Sequence, residues 1–101
     1  MMLSQILSTV RNWLRQTCLP AQVLTDREDS LRVILETENA MAELIVAQAD
    51  FAPYRFVSFQ ILDIRRELRD GPVFCYYDNE GSTIDEILRE LDRGAARLRT
   101  M

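Results

Sequence analysis

The residues in this chain that could do chemistry are few, and none arrives with the partners its chemistry requires. Cys75 stands in the apolar run Pro72-Val73-Phe74-Cys75-Tyr76-Tyr77. A nucleophilic thiol needs a base and an electropositive setting, yet all twelve basic residues of the chain are Arg, with no Lys and no His. The same lack removes the imidazole base, the histidine metal ligand, the Schiff-base lysine and the phosphate-loop lysine. Cys75 therefore reads as a buried structural thiol. With only Cys18 beside it, it cannot build a structural zinc site within one chain. Tyr54, Tyr76 and Tyr77 lie near acids, but acid–base work by them would need a cleft that fixes their geometry. No catalytic residue, metal ligand or cofactor site is expected.

Two further clusters invite a binding reading. Asp78-Asn79-Glu80-Gly81 resembles part of a calcium loop, but it fails the spacing of acids at positions 1, 3 and 5, Gly at 6 and Glu at 12. Its competing reading is a strand-to-helix turn whose acids favour a helix N-terminus. Arg65, Arg66 and Arg69 form the one basic cluster, and the guanidinium fork suits carboxylate or phosphate. An anion-binding site there competes with simple neutralisation by the interleaved Glu67 and Asp70.

These residues must be positioned by a small body. The chain has 101 residues, 48% hydrophobic and 28% charged, with a net charge of −4. That balance predicts a single globular domain over residues 1–101. Its acidity argues against nucleic acid as the main partner. The arginine-for-lysine bias is what a GC-rich bacterial genome produces. Met1 to Val10 lacks the basic and long apolar regions of a secretory signal, and no run approaches the ~20 apolar residues of a membrane span. The expectation is a soluble cytoplasmic protein, with no membrane partner and with Cys18 and Cys75 as free thiols.

Hydrophobic periodicity supplies the elements. Leu3, Ile6, Leu7, Val10, Trp13, Leu14 and Thr17 recur at helical spacing and predict an amphipathic helix ending before Pro20, with Trp13 as a core anchor beneath a sheet. Gln22 to Asp26 is a short strand, and Arg27-Glu28-Asp29-Ser30 a polar turn. Leu31 to Glu38 alternates with period two, Leu31, Val33 and Leu35 on one face against Arg32, Ile34 and Glu36 on the other. A turn at Glu38-Asn39-Ala40 leads to a strand over Met41 to Gln48, whose Ala and Glu content also suits a helix. Asp50 to Pro53 breaks the pattern. Tyr54 to Asp63 reads as the longest strand, with Val57, Phe59 and Ile61 on one face and Phe56, Ser58, Gln60 and Leu62 on the other. Ile64 to Gly71 is a charged connector, and Val73 to Tyr77 the last strand. Ile84, Ile87, Leu88, Leu91, Ala95 and Leu98 then mark a second amphipathic helix, started by a Thr83–Glu86 capping box or by Ser82 with Asp85.

Short turns between strands favour antiparallel pairing. The predicted fold is α+β: two layers, an antiparallel meander of about five strands with the N-terminal and C-terminal helices on one face, in the order α-β-β-β-β-β-α. The second sheet face is then the surface of interest, with Ile34, Phe56, Leu62, Phe74 and Tyr76 expected on it among Arg32, Ser58 and Gln60. Left uncovered, it suggests a self-interface or a partner interface; if the faces are otherwise, these residues are core. The leading expectation is a non-enzymatic protein-interaction module whose partner is another protein or, in a homodimer, a second copy of itself. A small-ligand domain is the alternative, with a pocket between sheet and helices that uses Trp13, the tyrosines and Arg55 or Arg65. Small acidic α+β domains with a C-terminal amphipathic helix are also similar in composition and topology to type III secretion chaperones. The resemblance implies a secretion-chaperone-like protein; the chain departs from it between the third and fourth strands, where those chaperones carry a helix and this chain has Asp50 to Pro53.

Overall fold

The computed structural model describes residues 2–50, 52–66 and 70–101. Seven elements follow in the order α1 (Leu3–Gln16), β1 (Ala21–Arg27), β2 (Ser30–Glu36), β3 (Ala40–Ala47), β4 (Val57–Asp63), β5 (Phe74–Tyr77) and α2 (Ile84–Arg99). The strands form one sheet in the spatial order β1-β2-β3-β4-β5, every neighbouring pair antiparallel. This is the α+β meander that the short connections required.

Alternation decides which side of the sheet is buried. Leu31, Val33 and Leu35 of β2, Ala40, Ala42, Leu44 and Val46 of β3, and Val57, Phe59 and Ile61 of β4 all point to one face and are buried. Ile6, Leu7, Val10 and Trp13 of α1 and Ile87, Leu91, Ala95 and Leu98 of α2 close over them in a single cluster. Phe59 joins the two helices. The Trp13 ring stands edge-on to it at 6.2 Å, and Gly94 of α2 lies against its other flank. Both helices are therefore on the same side of the sheet. The Trp13 indole also donates to Asp92 Oδ1 at 2.9 Å, tying α1 to α2.

The helix ends are set locally. Thr83 is the N-cap of α2, its hydroxyl accepting from the Glu86 amide at 3.1 Å, while Asp85 and Glu86 in the first turn and Arg97 and Arg99 in the last complement the dipole. The Glu86 carboxylate does not reach back to complete the expected capping box; it accepts a hydrogen bond from Tyr76 instead. Helix α1 stops at Gln16, with Cys18 in the left-handed region at φ 57° and Pro20 two residues on. Arg99 donates to the Thr17 carbonyl at 2.5 Å, so the end of α2 satisfies the end of α1.

Strand boundaries shift from the sequence expectation by one or two residues at both ends of β1, β2 and β3, and by more at the start of β4. The longest strand is β3, with eight residues, rather than one running from Tyr54. Residues 54–56 leave the strand because the amides of Arg55, Phe56 and Val57 all turn towards one carboxylate oxygen of Asp78. The last strand also starts one residue later than expected, at Phe74.

Gly94 marks the tightest approach between layers. A methyl group on its Cα would lie 2.5 Å from Cε2 of Phe59 and 3.0 Å from Cε1 of Phe74. Alanine in a helix interior gains about 1 kcal/mol over glycine, but overpacking a filled core costs about 1–3 kcal/mol. Phe59 is fully buried and held edge-on by both Trp13 and Phe74, so it has little room to yield. Gly94→Ala is expected to lower unfolding stability by about 1 kcal/mol, measured by urea denaturation, with packing outweighing propensity. A stabilised variant would show that the two rings move freely.

Candidate functional site

The face opposite the helices carries no covering element among the described residues. The register sets its side chains in rows across the strands. One row is Gln22, Ile34, Glu43, Gln60 and Cys75. The next is Thr25, Arg32, Ile45, Ser58 and Tyr77. A third holds Glu36, Met41 and Leu62. Ile34, Met41, Ile45 and Leu62 thus form an apolar patch with polar side chains at its margins and Glu43 within it. Arg32 donates to Glu43 Oε2 through Nε at 2.9 Å and Nη2 at 2.5 Å. The pair is solvent-exposed and contributes little stability, but it neutralises the middle of the face. Ile34, Met41, Glu43, Gln60 and Leu62 line a depression of about 160 Å³. Ile34 also borders a second, of about 180 Å³, with Pro20, Ala21, Gln22 and Glu36. Both are small beside the ~300–1,000 Å³ of a typical small-molecule site.

Of the five residues expected on this face, Ile34 and Leu62 are there. Phe56 is half-buried against the rim of the core, with the Arg55 guanidinium 4.7 Å above its ring. Phe74 and Tyr76 are a correction. Phe74 pairs with Ile61 and Tyr76 with Phe59, which places both on the helix-covered face. Phe74 packs edge-on to Phe59 beside Gly94, and the Tyr76 hydroxyl donates to Glu86 Oε2 at 2.9 Å. Cys75 and Tyr77 take the open side instead. Cys75 is exposed rather than buried, as is Cys18, and both are free thiols. The sequence Phe-Cys-Tyr-Tyr has no polar–apolar alternation, so its parity was hidden; the signal that existed was Gly94, a gap on an amphipathic helix that an aromatic ring fills. Met41 and Ile45, missed as face residues, follow directly from the alternation of β3.

Other expected constellations separate. Arg65 makes a two-point pair with Asp63 at 3.0 Å, which holds the Asp63 carboxyl below its usual range. Arg66 lies 3.7 Å from Asp70, and Arg69 falls outside the described residues. Arg65 and Arg66 are thus each matched by a local acid rather than turned to a shared site. Trp13 and Tyr76 are on the helix side, whereas Tyr77 lies on the open side with the Tyr54 ring 6.0 Å away, so the residues of the alternative ligand site are divided between the two faces. A wider open cleft of about 500 Å³ lies between the start of α1 and the β1–β2 turn, lined by Met2, Leu3, Ser4, Leu7, Arg27, Glu28 and Asp29.

Asp78 is the buried polar group that shapes the rim of the open face. Its Oδ1 accepts from the amides of Arg55, Phe56 and Val57 at 3.0, 2.8 and 2.7 Å, and its own amide donates to the Val57 carbonyl. Oδ2 is buried without a hydrogen-bond partner. One carboxylate thereby fixes the entry of β4 to the exit of β5 and places Tyr54 beside Tyr77. Tyr77 and Gln60 are hydrogen-bonded across the face, and the adjoining Cys75 thiol, more than burial, pushes the Tyr77 phenol up. On the covered side burial, with a smaller contribution from Glu86, pushes Tyr76 up to about 12. The Ser82 hydroxyl and then Tyr76 hold Glu86 below the ordinary carboxylate range.

Two measurements check this geometry. Asp78→Ala strands three amides and is expected to cost about 3 kcal/mol of unfolding stability, since hydrogen bonds to a charged group are each worth about 1.5–3 kcal/mol and do not add fully. A loss below about 1 kcal/mol in denaturant unfolding would show that the carboxylate is not the clasp. For Tyr76, a folded-state value of about 12 against an ordinary 10.0 means that the folded protein holds this proton longer than the unfolded chain. Its contribution is intact below pH 10 and is lost between pH 10 and pH 12. Melting temperatures across that window should fall less steeply in Tyr76→Phe than in the parent; identical slopes would refute the assignment.

Comparison with known proteins finds no matching family model, no matching curated protein and no matching solved structure, so function rests on the geometry of the chain itself.

Proposed function

We propose that this chain is a non-enzymatic protein-interaction module whose working surface is the open face of the sheet. The observation that carries the reading is the grouping of Ile34, Met41 and Leu62 around one depression, with Ile45 beyond the Arg32–Glu43 pair, on a face that no described element covers. An antiparallel sheet with one wet face ordinarily shows polar side chains there, and an apolar patch with a polar margin is the usual composition of a contact surface. Met41, Tyr77 and Arg32 add residue types enriched at interfaces. The shallow relief of the face suits a protein surface better than a small molecule.

The remaining features agree with this reading. A net charge of −4 disfavours a nucleic-acid backbone. Tyr76, the tyrosine hydrogen-bonded to a carboxylate, is moved away from neutral pH and so is a poor acid–base group. No helix among the described residues is long and apolar enough to cross a membrane, and two exposed free thiols suit a reducing compartment, which favours a cytoplasmic setting.

The test is a paired capture experiment with the parent protein and the double variant Ile34→Glu, Leu62→Glu as baits. Both side chains are only half-buried on the open face, so the variant should unfold at nearly the parent temperature. Proteins retained by the parent and lost by the variant are the expected result. Equal retention by two equally stable baits would remove the open face from consideration.

A further inference from the structure

We infer that β1 pairs antiparallel with β1 of a second copy of this chain, joining two five-stranded sheets edge to edge. This surface is distinct from the open face, and the inference stands whether or not that face binds a partner.

Among the described residues, strand β1 is bonded to β2 alone, and no strand lies along its outer backbone edge. Six of its seven residues are exposed and only Thr25 is half-buried. Val23 pairs with the fully buried Val33, yet is itself 54% exposed, and Leu24 is 46% exposed at the bulge between Val23 and Thr25. Helix α1 reaches β1 only at its end, where Arg11 donates to Asp26 Oδ1 and to the Arg27 carbonyl. Beyond that contact, the strand's side chains stay exposed on both faces, and none of the described residues pairs with its outer edge. Exposed edges are normally blunted by proline, inward charge or shortness. The opposite edge, β5, is four residues long and follows Pro72 closely. β1 has a bulge and an inward acid, Asp26, but Arg11 neutralises that acid and an apolar pair, Val23 and Leu24, stays exposed at the strand's centre.

Charge selects a second copy as the occupant. Helix α1 contains Arg11 and Arg15 and no acid, whereas the turn after β1 carries Glu28 and Asp29. Arg11 is occupied by Asp26, and Arg15 is exposed in the last turn of α1. The bulge exchanges faces at Leu24, so face-matched antiparallel pairing centres between Val23 and Leu24; it sets Asp26 opposite Ala21, Thr25 opposite Gln22 and Arg27 opposite Pro20, and no like charges meet across the ladder. Glu28 and Asp29 of each copy then continue past Leu19 and Cys18 of the other, towards the end of α1 that holds Arg15. Two-fold symmetry repeats this acid–arginine approach at both ends.

The experiment uses the purified chain, with light scattering after size exclusion over a concentration series and amide exchange at low and high concentration. A dimer is expected whose amides within Ala21 to Arg27 gain protection as concentration rises. Leu24→Lys, at an exposed position, should give a monomer that unfolds at the temperature the parent shows at its lowest concentration. Arg15→Glu should weaken the dimer, and adding Glu28→Arg and Asp29→Arg should restore it. A monomer at every concentration overturns the inference. So does a dimer that survives Leu24→Lys but is lost in Ile34→Glu, Leu62→Glu, which would place the contact on the open face. Failure of the charge swap to rescue overturns the antiparallel register, and exchange data on the parent decide the matter should Leu24→Lys not fold.

Discussion

The carboxylate of Asp78 is the constraint on which the second half of the fold turns. A buried acid is costly unless its oxygens are satisfied, and here three consecutive amides, Arg55 to Val57, converge on one of them. Those amides cannot also serve a regular ladder, which is why the chain bends before β4. The same residue ends β5, so the clasp fixes the β4–β5 register at the point where a one-residue slip would exchange the two faces. Phe74 and Tyr76 consequently lie under α2, and Cys75 and Tyr77 face outward. What lies on the open face is thus partly decided by a residue that is not on it.

Gly94 and Phe59 provide the complementary constraint from the other layer. With no side chain at Gly94, α2 can descend onto Phe59 and Phe74, and the Trp13–Phe59 contact brings α1 to the same ring. Helix-to-sheet distance, helix-to-helix spacing and the parity of β5 all meet at one phenylalanine. The Arg99–Thr17 and Trp13–Asp92 bonds fasten the two helices at separate points along their length.

This explains what could be read from the sequence and what could not. The helices were legible because their apolar positions repeat at 3.6 residues over several turns. β2 and β3 were legible because one of their faces is buried and the other wet, which writes the pleat into the residue types. β5 was legible as a strand but not in its facing, because Phe-Cys-Tyr-Tyr has no polar–apolar alternation, and the exposed Cys75 was misread as buried for that reason. The early bend before β4 depends on an acid more than twenty positions downstream, a separation that local patterns cannot register. Arg65 was legible as a cation, but its partner Asp63 lies inside the strand rather than among the interleaved acids of the connector. The open-face patch was half legible: Ile34 and Leu62 follow from alternation, as do Met41 and Ile45 once β3 is taken as a strand rather than a helix.

The bareness of β1 has a geometric cause in the same architecture. Five strands spaced about 4.8 Å apart occupy a width of about 24 Å, whereas two helices of about 10 Å diameter cover about 20 Å. A two-helix layer is therefore one strand too narrow. The clasp at Asp78 and the contact at Gly94 hold α2 over the β4–β5 side, so the shortfall must appear at the opposite edge. The residues agree: β1 is the one long strand with no clear alternation and no buried side chain. Its Val23 and Leu24 are not core residues out of place. They are the apolar centre of a strand that α1 touches only through Arg11 at its far end, and a neighbouring sheet edge can supply the contact that the helix layer lacks.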